Sequence, residues 1–275
     1  LRDSVVSHAK ELNYLPRSYR SSNAKVTLTF TPSDSPAFIT VPKYTKFTTN
    51  VDGKSYTFST DQVYTITPNL GVYSVSDVAL YEGRIEREYY DVTASTKYII
   101  SNKRVDTDSI VVNVYASSAA SAEVDAYALK PNLFDVKSAD KVFYLQPAEQ
   151  QRYELEFGND VFGREPKTGE VVEVIYRIAN GATPNGATTF TPSATIQGYT
   201  ATVATTSNST AGAEEETLES IKFYAPKSIQ IQDRAVTESD YENLLKNKFS
   251  EIETVSVQGG EELLPPRYGK VMLYV

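Results

Sequence analysis

The feature that most constrains this 275-residue chain is a succession of short apolar segments, each closed by turn residues before the next begins. KVTLTF (25–30) sets apolar side chains at every second position, the spacing that puts one face of a strand into a core. Residues 38–49 and 54–60 lie on either side of Asp52-Gly53, a pair suited to the left-handed positions of a two-residue hairpin turn. Residues 72–83, 96–102, 109–116, 141–147 and 152–158 read as further strands. VVEVIYRIA (171–179) is apolar enough to be a buried one. Strands at such short intervals argue against a βαβ chain and for a sandwich or meander. The 20 Tyr and 11 Phe agree, since aromatic and β-branched side chains suit a pleated, half-buried surface.

Helical spacing occurs only towards the two ends. Val5, Val6, Ala9 and Leu12 share one face until Asn13 and Pro16 end the pattern. The acidic run 214–216 stands where a helix N-terminus favours negative charge. Leu218, Ile221 and Tyr224 then form a stripe, and Pro226 is expected to end that helix. Thr237-Glu-Ser-Asp240 reads as a helix cap, followed by the apolar stripe Tyr241, Leu244 and Leu245 and by Lys246 and Lys248. Two strands, 252–257 and 270–275, complete the tail.

The predicted class is α+β: mostly antiparallel β, with an N-terminal helix and a C-terminal helix–helix–strand–strand module. Three regions are expected. Residues 1–70 hold the first helix and a β region packing with 165–211, residues 71–164 form an inserted sandwich-like domain, and 212–275 form the C-terminal module. Residues 117–140 carry no clear pattern. From Ile178 to Ala213 there are 36 residues without a charge, read either as extended segments between strands or as a segment ordered against a partner chain. Leu1 already sits in a helical pattern and 270–275 stop within a strand-like run, so the chain is read as a piece of a longer protein.

Chemistry is harder to find. The formal net charge is −8 and no segment concentrates Lys or Arg, which argues against nucleic acid and against anionic lipid as partners. No stretch of 18 apolar residues and no signal peptide is present, so no membrane partner is expected. Without a cysteine, disulfides, thiolate catalysis and Cys-based zinc sites are all excluded. His8 is the single histidine, and a Ser-His-Asp arrangement would have to use it; a surface or structural role is expected instead. Neither a P-loop nor a GxGxxG turn occurs. Glu154, Glu156 and Asp160, near a turn-rich loop, are the candidates for a glycosidase pair or a calcium site. Glu154 and Glu156 stand two apart on a strand and share one face, expected to be the solvated one. Glu261-Glu262 reads as a loop, Asn208 as an unused glycosylation sequence, and Arg234 as a loop-fixing partner of an acid such as Asp240. No catalytic, cofactor-binding or metal-binding residue is therefore assigned, and no cofactor is expected.

Three segments in fixed order carry a resemblance. EFGNDVFGREPKTGEVVEVIYRIANGATPNG (156–186) joins a Gly-rich turn to a buried strand and a Gly/Asn turn. GAEEETLESIKFYAPKSIQIQDRAVTESDYENLL (212–245) and FSEIETVSVQGGEELLPPRYGKVMLYV (249–275) follow. Together with residues 11–30 and VPKYTKF (41–47), they resemble the baseplate J-like family of contractile-tail phages, closest in style to its T-even members. Asn159-Asp160 and Ala211-Gly212-Ala213 depart from the usual Asp-Gly and Gly-Gly of that family. The resemblance implies a non-enzymatic subunit of the virion tail baseplate, assembled in the host cytoplasm. Such a subunit links neighbouring wedges into a ring around the tail and rearranges during sheath contraction. Its implied partners are itself, as a homodimer and within the ring, and other baseplate wedge proteins. The implied turn positions are Gly158, Gly163, Gly169, Gly181 and Gly186. A sugar-binding or polysaccharide-cleaving tail domain is the alternative; the absence of Trp counts against it.

Overall fold

The computed structural model describes residues 2–119, 123–231, 237–248, 252 and 255–274. It divides into two compact units, one formed by residues 18–215 and one by residues 1–17 with 216–275.

The elements run α1 (Arg2–Glu11), β1 (Asn23–Phe30), β2 (Ile39–Val41), β3 (Lys46–Val51), β4 (Lys54–Thr60), β5 (Tyr64–Ile66), β6 (Pro68–Asn69) and β7 (Val72–Glu82). Next come β8 (Arg84–Asp91), β9 (Tyr98–Ile99), β10 (Val105–Tyr115), β11 (Val124–Leu129), β12 (Val142–Ala148), β13 (Arg152–Phe157) and β14 (Val171–Ile178). The rest are β15 (Thr191–Pro192), β16 (Thr202–Thr210), α2 (Leu218–Ile231), α3 (Glu238–Lys248), β17 (Ser256–Gly259) and β18 (Val271–Tyr274). The class is α+β, mostly antiparallel β with the helices at the two ends of the chain. Among the described residues no helix is long and apolar enough to cross a membrane.

The larger unit holds two seven-stranded sheets. The first has the order β15-β3-β4-β7-β1-β16, with β6 on β7; the second has the order β8-β14-β10-β11-β12-β13-β9. Among the described residues every strand pairing is antiparallel except β11 with β12. The alternation read in residues 25–30 is the physical cause of the first core: Val26, Leu28 and Phe30 are fully buried with Phe47, Phe58, Tyr73 and Leu80. Asp52 and Gly53 both adopt positive φ (50° and 77°), the geometry a two-residue hairpin needs between β3 and β4. The second core gathers Val112, Val114, Phe143 and Leu155 with Val172, Val174 and Tyr176. Residues 172–177 are buried on both faces of β14. The chain passes between the sheets at Gly83, whose φ is 123°; a Cβ there would lie 2.8 Å from the Ile178 carbonyl oxygen.

Several expectations are corrected. Residues 84–91 and 124–129 are strands that no alternation announced. The uncharged segment contributes β15 and β16, while the strand expected over 96–102 shortens to Tyr98–Ile99. Pro226 does not end its helix, because α2 continues to Ile231. The carbonyl deprived of a donor belongs to Lys222, which is exposed as Pro226 is, so water can serve it.

In the smaller unit α1 and α2 bury Ala9, Tyr14, Ile221 and Ala225 together. Asn13, at φ 55°, turns the chain out of α1. Ahead of α3, Thr237 Oγ1 accepts from the Asp240 amide at 3.2 Å, and Asp240 Oδ2 accepts from the Thr237 amide at 2.8 Å. This reciprocal box bears out the cap read at Thr237. Thr237→Ala is expected to cost about 1 kcal/mol in denaturant unfolding, and an unchanged midpoint would show that the box contributes nothing. Tyr241, Leu244 and Leu245 are half-buried rather than enclosed. Arg234 and the side chains of Lys246 and Lys248 lie outside the described residues.

Candidate functional site

The acids singled out in sequence do not converge. Glu154 and Glu156 do share one face of β13, where the Gln146 amide of the neighbouring strand donates to both. Asp160 pairs with Lys167 and accepts from the Glu165 amide at 3.0 Å, and the hydrogen bond from Lys167 holds its carboxyl below the usual range. Its chemistry is that of a clamp on the turn 158–167. His8 is exposed, 3.7 Å from Glu11, on the outside of α1. Glu261 and Glu262 belong to a short 3-10 turn. Among the described residues no group of three or more His, Asp or Glu side chains is placed to hold a metal ion.

The buried charges lie elsewhere, and the densest group joins the two sheets. Arg177, the seventh residue of β14, is 4 % exposed. Its Nη1 donates to Ser59 Oγ at 2.6 Å and to the Tyr81 carbonyl at 3.1 Å, and its Nη2 reaches the Ser59 and Thr60 carbonyls at 3.4 Å. The guanidinium also stands 5.5 Å from the Tyr81 ring centre and 5.9 Å from that of Tyr44. Burial pulls its pKa down, partly offset by Tyr44 and Asp106. One planar fork on β14 thus gathers groups from β4 and β7, a geometry an ammonium cannot reproduce.

Two buried acids complete the joint. Glu82 receives the Asn180 amide at 3.0 Å and its side-chain nitrogen at 2.6 Å. Asp106 receives the Ser21 amide at 2.9 Å and the Asp108 amide at 3.1 Å. Burial pushes both carboxyls up, against the lowering effect of those hydrogen bonds. Backbone bonds run alongside: Glu82 N–H donates to Ser22 at 2.8 Å, Gly83 N–H to Thr57 at 3.0 Å, and Ala179 N–H to Arg104 at 2.9 Å. Apart from the local Asp108 amide, these bonds join residues far apart in sequence, and together they tie the two sheets.

On the same face of β14, Glu173 is 1 % exposed. It accepts from Arg87 at 3.0 Å and from Tyr89, Asn113 and Tyr115 at 2.9 Å each, so β8, β10 and β14 meet on one carboxylate. Burial alone would raise its pKa. The bonds from Asn113, Tyr89 and Tyr115 and the charge of Arg87 outweigh burial and hold it below its ordinary 4.5. A depressed carboxyl contributes stability above its unfolded pKa, and that contribution is lost as pH falls through the folded value. Glu173→Gln is therefore expected to cost about 2 kcal/mol at neutral pH. The gap from the parent should close as pH drops below about 4.5. A gap independent of pH would show that the charge is not what the four donors hold. Glu82 and Asp106 act with the opposite sign, their contribution fading as pH rises, but they are present in both proteins and cancel in the difference.

The smaller unit has its own buried acid. Glu216 is 2 % exposed and accepts from Tyr14 Oη at 2.8 and 3.0 Å, from the Arg17 amide at 3.0 Å and from Ser220 Oγ at 2.5 Å. Burial and the Glu216 carboxylate push the Tyr14 phenol far above its ordinary range. The acidic run 214–216 does precede a helix, α2, where Thr217 Oγ1 accepts from the Ser220 amide at 3.2 Å. Sequence gave no sign that its third member is buried.

No protein-family model matches the chain. It is 25 % identical over 279 aligned residues to the baseplate wedge protein gp6 of Enterobacteria phage T4, a match covering 92 % of this chain. The chain spans 41 % of that protein's length. A chain in the cryo-EM structure of the anti-feeding prophage baseplate aligns over 96 % of this chain and 52 % of its own length. That alignment has 15 % identity and a TM-score of 0.33.

Proposed function

We propose that this chain is a structural, non-catalytic part of a phage tail baseplate wedge, self-associating as a homodimer and linking neighbouring wedges into a ring that rearranges when the sheath contracts. The observation that carries the reading is its similarity to a baseplate wedge protein along nearly all of its length. The geometry fits: Arg177, Glu82, Asp106 and Glu173 are each engaged by internal donors or acceptors, leaving the buried charges to rigidity rather than to a substrate. Such a subunit acts through surfaces, and a stiff β framework transmits displacement where a loose one absorbs it.

The test is a reconstruction of baseplates assembled with and without the protein. Density for the two sheets should recur around the tail axis in positions that bridge adjacent wedges, and wedges lacking the protein should stay separate. Complete rings formed in its absence would refute the linking role. Density far from the wedge contacts would refute the placement.

A further inference from the structure

A sheet edge presents unpaired backbone groups, so proteins guard their edges by shortness, charge, bulges or cover. The two large sheets have four edges. Those at β9 and β15 are two residues long. That at β8 carries five charged side chains among eight residues: Arg84, Glu86, Arg87, Glu88 and Asp91. The fourth, β16, is nine residues long and has no charge and no proline. Its second half is closed. Its register against β1 shifts twice between Thr205 and Thr210, and Ser209 turns its backbone to Gly186 and Ala187, at 2.7 and 3.0 Å. The first half is regular, with Thr202 to Thr205 opposite Thr29 to Val26. Thr202 and Ala204 are exposed there, as is Thr206 at the adjoining register shift.

We propose that the outer edge of β16 over residues 202–206 pairs antiparallel with the same strand of a second copy of this chain. The proposal rests on the self-association within the function proposed above and names its seam. Charge selects the occupant. Copies of a chain with net charge −8 repel one another over most of their surface, and the 36-residue uncharged segment that contains β16 lets two copies approach without setting like charges together. Two identical strands meeting antiparallel close a two-fold, so the contact is complete as a pair. Thr and Ala side chains opposite one another suit such a pairing.

The chain contains no cysteine, so single introduced cysteines report the seam without background. Thr202→Cys through Thr206→Cys should each be oxidised and resolved by non-reducing electrophoresis. Cross-linked dimer should peak at the residue on the two-fold and fall away on both sides, as antiparallel register demands. In sedimentation velocity the parent should dimerise with concentration, and Ala204→Lys with Thr206→Lys should weaken the dimer at least tenfold. Thr195→Lys, in the same uncharged segment but off the strand, should leave it intact. A dimer that survives the double change and cross-links at no position overturns this seam while self-association stands. A chain that stays monomeric and never cross-links overturns the seam and self-association together. The wedge reading is then judged by the reconstruction alone.

Discussion

Arg177→Ala is expected to lower the stability of the unit spanning residues 18–215 by about 3–5 kcal/mol, the usual cost of removing one member of a buried charged group. The loss has three sources. Ser59 Oγ and the Tyr81 carbonyl lose a charged donor inside the protein, where water does not replace it. The rings of Tyr44 and Tyr81 lose the cation that stands near them. Glu82 and Asp106, already pushed up by burial, lose the positive charge that partly compensates it. Arg177→Lys should recover only part of the loss, since one ammonium cannot reach groups of β4 and β7 in a single plane. Denaturant unfolding followed by tyrosine signals measures both variants, the chain having 20 Tyr and no Trp. A loss below about 1 kcal/mol for the alanine variant would mean that the two sheets hold together by other means.

Glu216→Ala should have a comparable effect, about 3–5 kcal/mol, confined to the unit formed by residues 1–17 and 216–275. The substitution removes the buried carboxylate that accepts from the Tyr14 hydroxyl, the Arg17 amide and Ser220 Oγ. Glu216→Gln keeps an acceptor for Tyr14 but sets an amide nitrogen against a second donor, so an intermediate loss is expected. A spectroscopic companion separates this from a loss of packing. The Tyr14 phenol should titrate nearer its ordinary value of 10 once the carboxylate is gone, because part of its upward shift comes from that charge. An unchanged tyrosine titration would place the cause in packing rather than in the carboxylate.

What was legible in the sequence was periodicity and punctuation. Residues 25–30 alternate because one face of β1 is core, Asp52-Gly53 marks its hairpin because few other pairs tolerate two positive φ values, and Thr237 with Asp240 closes a box four residues long. These are local effects, decided within a few residues. The resemblance of residues 156–186 and 212–275 likewise rested on residue order alone. Strands β8 and β16 were not legible, for opposite reasons. RIEREYYD is masked by charges that guard an edge, and TVATTSNST by side chains too small and polar to alternate.

By itself, then, the sequence determined a mostly antiparallel α+β chain with helices at its two ends, the turns that shape it, and a likeness to a phage baseplate family. The tertiary structure alone decided what its charges do. Arg177 stands 118 residues from Ser59, Glu216 stands 202 from Tyr14, and Glu173 gathers donors 58 to 86 residues away. Nothing in the spacing of such residues marks them, because whether a carboxylate is solvated or enclosed depends on which distant strands fold over it. Which edge is left open is settled in the same way, by the order of strands in the finished sheet.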